Sequence, residues 1–221
     1  MVDILNNRKR VFWEALLLTL VIFIFGILIG VAYEASKSSN ISDYYTNSEI
    51  SLMDVFALNS MINLNSEDCG VLTGANLQFA DRIYAEAVLL EKYESAGKVT
   101  KEIEVVHERY DILRTFLWIN SIETSQKCKE NYSTVVYLYD YNSKDLVQKA
   151  KQNVWSKILY DLKQKEGSKI LLIPIAADSN LTSLNSLTNK FNITHYPVVV
   201  INEKDVIYNL SSVETLSKYI N

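Results

Sequence analysis

The run VFWEALLLTLVIFIFGILIGVAY, Val11 to Tyr33, carries a single charge, Glu14, close to its start. From Ala15 to Ala32 every residue is apolar or small except Thr19. A helix rises about 1.5 Å per residue, so such a run covers roughly 30 Å, the thickness of a bilayer's hydrocarbon core. It is long for the apolar part of a cleaved signal, and the Ala-Tyr-Glu-Ala that follows is a poor small-x-small cleavage site. It reads as a retained signal-anchor, with the lipid bilayer as partner. Arg8, Lys9 and Arg10 precede it, whereas the following EASKSSN carries only Lys37. The positive-inside rule then makes residues 1–10 a cytoplasmic tail and the bulk of a single-pass chain extracytoplasmic. Gly26 and Gly30 form a G-x-x-x-G inside the run. Small residues four apart let two helices approach closely, which would give a homodimer; the alternative is that glycine is simply common in membrane helices.

The 221 residues carry a formal net charge of −4, and no basic cluster follows residue 10. Nucleic-acid binding therefore has no electrostatic footprint. Residues 34–44, EASKSSNISDY, read as a polar linker.

Residues 45–128 read as helical. SEISLMDVFALNSMINL spaces Ile50, Met53, Phe56, Ala57 and Met61 as one helix face. The next helix offers Leu77, Ala80, Ala87, Leu90 and Tyr93, and the one after it Ile103, Val106, Tyr110, Leu113, Leu117 and Ile119. Ala96-Gly97-Lys98 separates these two, and so short a connection makes them antiparallel. Cys69 lies 28 residues before Gly97 and Cys128 31 residues after it. A hairpin with nearly equal arms brings the two ends side by side, which predicts a Cys69–Cys128 disulfide in an oxidising compartment. Two unrelated free thiols are the alternative.

The character then changes. STVVYLYDY (133–141) is a β-branched, aromatic strand. Residues 143–167 form an amphipathic helix with Leu146, Ala150, Val154, Ile158, Leu159 and Leu162 on its apolar side. SKILLIPIAAD (168–178) is a second strand, interrupted by Pro174; a bulge, or an end near Leu172, would accommodate the proline. A short helix follows, then PVVVIN and DVIYNL as a hairpin around Glu203-Lys204, then a closing helix with Ser212 as N-cap.

The order is βαβ, then α, then ββα, and FNITHYPVVVINEKDV carries a helix end, an Ile, a proline and a hairpin. Over about residues 132–221 this resembles the thioredoxin fold. The resemblance implies an α/β thioredoxin-like C-terminal domain, preceded by the transmembrane helix and the helical hairpin. It implies a cis bond before Pro197. It also places the family's Cys-x-x-C where the first helix begins, a position matched here by YDYNSKDL, Tyr139 to Leu146, with no cysteine. Asp140, Asn142 and Ser143 are helix-starting residue types there. In such proteins the segment before the cis-proline offers a backbone edge to extended peptides. His195, Tyr196 and Pro197 would then flank a peptide groove facing Asn142 and Ser143. A turn shaped by Pro197, with Tyr196 merely packing, is the alternative.

No catalytic constellation, cofactor motif or metal-ligand spacing appears in the sequence. His107 reads as a surface or boundary residue, and Trp118 and Trp155 as core. Asn40, Asn131, Asn180, Asn192 and Asn209 head glycosylation sequons, which chance alone also supplies in so Asn-rich a chain. Anchor, proline pattern and missing Cys-x-x-C point to a membrane-anchored, redox-inactive thioredoxin-like protein that binds exported polypeptides or assembles a membrane complex. Two readings stay open beside it: a thiol–disulfide oxidoreductase using Cys69 and Cys128, and a structural, oligomerising membrane protein.

Overall fold

A computed structural model describes residues 11–33, 46, 49–54, 69–95, 101–128 and 132–220. The expected tail 1–10, the linker 34–44, most of the first expected helix after residue 54 and the turn at Gly97 lie outside them. The chain divides into two compact units, Met1–Tyr44 and Tyr45–Asn221.

In the first unit, helix α1 (Val11–Tyr33) is long and apolar enough to cross a membrane. The Thr19 hydroxyl is satisfied within the helix, Oγ1 donating to the Ala15 carbonyl at 2.9 Å. Gly26 and Gly30 have open space around them within the chain.

The second unit is a mixed α/β domain. After the helical residues 49–54 come α2 (Cys69–Ser95) and α3 (Lys101–Lys127), then β1 (Ser133–Tyr139), α4 (Leu146–Glu166), β2 (Ile170–Ala176), α5 (Thr182–Lys190), β3 (Val198–Ile201), β4 (Asp205–Ile207) and α6 (Val213–Leu216). The four-stranded sheet has the order β2-β1-β3-β4. β1 and β2 are parallel, while β3 runs antiparallel to both β1 and β4. Alternate residues of each strand face opposite layers, as the period of two requires. Val136, Leu138, Ile173, Val198 and Val200 pack with Phe79, Leu113, Trp118 and Leu184, so α2, α3 and α5 share one face. Val135, Tyr137, Leu172, Val199 and Ile201 pack with Trp155, Leu159 and Leu216, so α4 and α6 cover the other.

Pro174 neither bulges nor ends its strand: β2 runs through it, with Pro174 opposite Tyr137. The strand order explains this, because β2 is an edge and one side of it needs no ladder donor. Side chains close that edge. Ala176 N–H donates to Asp111 Oδ1 of α3 at 3.1 Å, and the Ile170 carbonyl accepts from Lys163 Nζ of α4 at 3.0 Å. An edge covered in this way offers less to a stray strand.

Three expectations about faces need correction. On α4 the buried residues are Gln152, Trp155, Leu159 and Leu162. Leu146 and Val154 are 79% and 46% exposed, so the apolar side lies further round the helix than spacing suggested. Among the described side chains of α2 the buried ones are Leu72, Asn76, Phe79, Ala80 and Ile83, of which Ala80 was expected, with Leu77 at the margin; the expected Leu90 and Tyr93 lie outside the described side chains. His107 is buried rather than superficial: its ring centroid lies 4.1 Å from that of Tyr141, and its Nδ1 lies 3.5 Å from Asp111 Oδ2. Trp118 and Trp155 are fully buried, as expected.

The expected disulfide is present: Cys69 and Cys128 are bonded, with their Cα atoms 5.7 Å apart. Beside it the helices share a buried polar ladder. Asn120 Nδ2 donates to Asn76 Oδ1 at 2.7 Å, and Asn76 Nδ2 donates to Thr124 Oγ1 at 3.3 Å. Buried amides tolerate few alternative alignments, so this ladder sets how α2 and α3 slide against each other.

Candidate functional site

β1 ends at Tyr139, two residues earlier than expected, and α4 starts only at Leu146. The N-cap is Asp145, whose Oδ1 accepts from Val147 N–H at 2.8 Å; Asp140, Asn142 and Ser143 belong to the loop instead. That loop, 140–145, is held from two sides. From β2's end, Asp178 takes the backbone N–H groups of Tyr141 and Asn142 at 2.8 and 2.7 Å. From α4, Gln152 exchanges two hydrogen bonds with the Asp140 backbone, at 3.1 and 2.9 Å. A carboxylate on two adjacent N–H groups is a strong, charge-assisted arrangement.

The Tyr196–Pro197 bond is cis, as expected. The segment it shapes meets the loop through Gln148. Gln148 Nε2 donates to the Tyr196 carbonyl at 3.3 Å and also to Asp140 Oδ2, while Gln148 Oε1 accepts from Ser143 Oγ at 2.8 Å. Ser143, Tyr196 and Pro197 are thus drawn together. Asn142 is tied by its backbone to Asp178 on the loop's other side, with its side chain exposed. His195 stacks on Tyr208 with ring centroids 4.0 Å apart, and its Nδ1 lies 3.0 Å from Thr194 Oγ1. Gln148 and Asp178, the residues that organise this corner, were not singled out by sequence reasoning. Neither sits in a motif; only the strand–loop–helix junction itself points to them.

Burial raises the Tyr196 phenol above its ordinary value, and the neighbouring Asp140 adds to this while Thr188 opposes it, so the phenol stays protonated at neutral pH. At the start of α4, Leu146 and Val147 are 79% and 76% exposed, two apolar side chains beside a polar loop. Both cysteines sit elsewhere, in the bridge, and Cys128 is buried. Among the described residues no group of three or more His, Cys, Asp or Glu could hold a metal ion. Asn180, Asn192 and Asn209 are exposed, with Asn180 and Asn192 in the left-handed conformation at φ 52°. Comparison with protein-family models and with curated proteins finds no match for this chain.

Proposed function

We propose that this chain is a membrane-anchored, redox-inactive thioredoxin-like protein that binds exported polypeptides or helps assemble a membrane complex. α1 would hold it in the bilayer with its first ten residues cytoplasmic and its second unit outside. The observation that carries the reading is the junction of β1 and α4. It lies beside the cis Tyr196–Pro197 bond, it holds no cysteine, and it carries exposed Leu146 and Val147. Support for the thioredoxin-like part comes from the β2-β1-β3-β4 order, with α4 and α6 on one face and α5 on the other. Exposed apolar side chains next to backbone groups suit an extended polypeptide.

A redox role would fall to Cys69 and Cys128. The test is reduction of a glutathione-capped peptide by the detergent-solubilised full chain. The proposal expects no turnover above that of the Cys69→Ser/Cys128→Ser variant. Turnover that needs the two cysteines would replace binding by disulfide chemistry.

A further inference from the structure

A second candidate site lies between α2, α3, α4 and the β1–β2 part of the sheet. It is a cavity of about 270 Å³, near the small end of the range for ligand pockets. Its floor is buried, formed by Tyr137, Leu159 and Leu172. Its rim is exposed, marked by Val88, Asn153 and Ser156. The cavity therefore runs from solvent into the core. The Tyr137 and Tyr139 rings stack at 5.4 Å along one wall and present flat, apolar surface. Burial pushes the Tyr137 phenol well above its ordinary value, so the floor bears no negative charge.

Arg114 of α3 lines the same cavity and is 97% buried, being 3% exposed. Its Nη1 donates to Asp111 Oδ1 at 3.1 Å. Its Nε is buried with no hydrogen-bond partner among the described residues. Nε itself has almost no accessible surface, so a ligand would meet the part of the guanidinium that lines the cavity, in an interior where an unsatisfied donor is costly. Planar guanidinium edges match a carboxylate in particular. A doubly charged phosphate fits less well, because Asp111 already occupies the neighbouring edge and would repel it.

We infer that this cavity binds a small monocarboxylic acid with a flat apolar body, its carboxylate on Arg114 and its ring against the tyrosines. The cavity adjoins the β1–α4 loop, sharing Tyr141 and Gln152 with it, but the inference does not depend on the function proposed for that corner. The probes are phenylacetate and its neutral counterpart phenylacetamide, titrated calorimetrically into the detergent-solubilised full chain. The acid should bind saturably and about tenfold or more tighter than the amide, the effect of a charge-assisted contact. Val88→Trp leaves the Asp111–Arg114 pair untouched and fills the rim, so it should abolish binding while the chain stays folded. Three results would overturn the inference. One is equal affinity for acid and amide. Another is unchanged binding in the Val88→Trp variant. The third is absence of saturable binding of phenylacetate up to about 10 mM, weaker than any useful affinity.

Discussion

Two buried carboxyl groups show how much one side chain decides. Asp111 is held by Arg114 Nη1 and by the Ala176 N–H, both at 3.1 Å, and it joins α3 to the end of β2. Asp111→Asn would leave Arg114 buried without its counter-charge, and we expect a loss of about 3–5 kcal/mol, read from thermal unfolding in detergent. Glu203 is the opposite case. It stands in the β3–β4 turn at φ 56°, and burial pushes its carboxyl up to about 7, opposed by the Trp118 indole and by Lys190. Neither Glu203 Oε1 nor Trp118 Nε1 closes a hydrogen bond, so the indole acts at longer range. The folded chain thus holds this proton more tightly than the unfolded one, whose value is near the ordinary 4.5. The associated stability is fully present below about pH 4.5 and is lost as pH rises through 7, roughly 3 kcal/mol in all. Glu203→Gln should flatten that dependence and be the more stable protein at pH 8. An unchanged slope between pH 4.5 and 7 would contradict it. Pro197 was legible at this scale because proline restricts a local bond. Gln148 and Asp178 were not, since their roles arise from partners 48 and 36 residues away in the chain, nor was Arg114, whose burial comes from the packing of the whole fold.

Elements were more legible than their faces. Strand and helix order follow from apolar runs and turn residues, which are local. Which side of α4 meets the sheet depends on the whole fold, and Trp155 outweighs Leu146 because one large ring fills the space between helix and sheet. Pro174 misled in the same way, since an edge position cannot be read from one strand alone. Gly167 closes α4 at φ 59°, its N–H on the Lys163 carbonyl, so Gly167→Ala should cost about 1 kcal/mol in the same unfolding assay. The α2–α3 pair depends on its bridge. Cysteines 59 residues apart constrain the unfolded chain by about 4 kcal/mol in the chain-entropy account. The double serine variant should unfold correspondingly earlier. An unchanged midpoint would mean that the Asn76–Asn120–Thr124 ladder aligns the helices without the bridge.

The whole molecule has one apolar helix long enough to cross a membrane and one mixed α/β unit. The dock of α2 and α3 on the sheet could not be read from the sequence, because it joins apolar residues far apart in the chain and adds buried polar groups such as Asp111 that look like ordinary surface residues in one dimension. With both cysteines committed to a staple and none at the β1–α4 junction, what that corner offers is its loop, its cis-proline segment and the exposed Leu146 and Val147. The most direct measurement is photo-crosslinking in intact cells from a benzoylphenylalanine placed at Leu146, with the same residue at exposed Tyr160, further along α4, as control. The account predicts discrete polypeptide adducts from position 146, absent from position 160 and lost when Val147→Asp is added. Identical patterns from both positions, or no adducts from position 146, would contradict it.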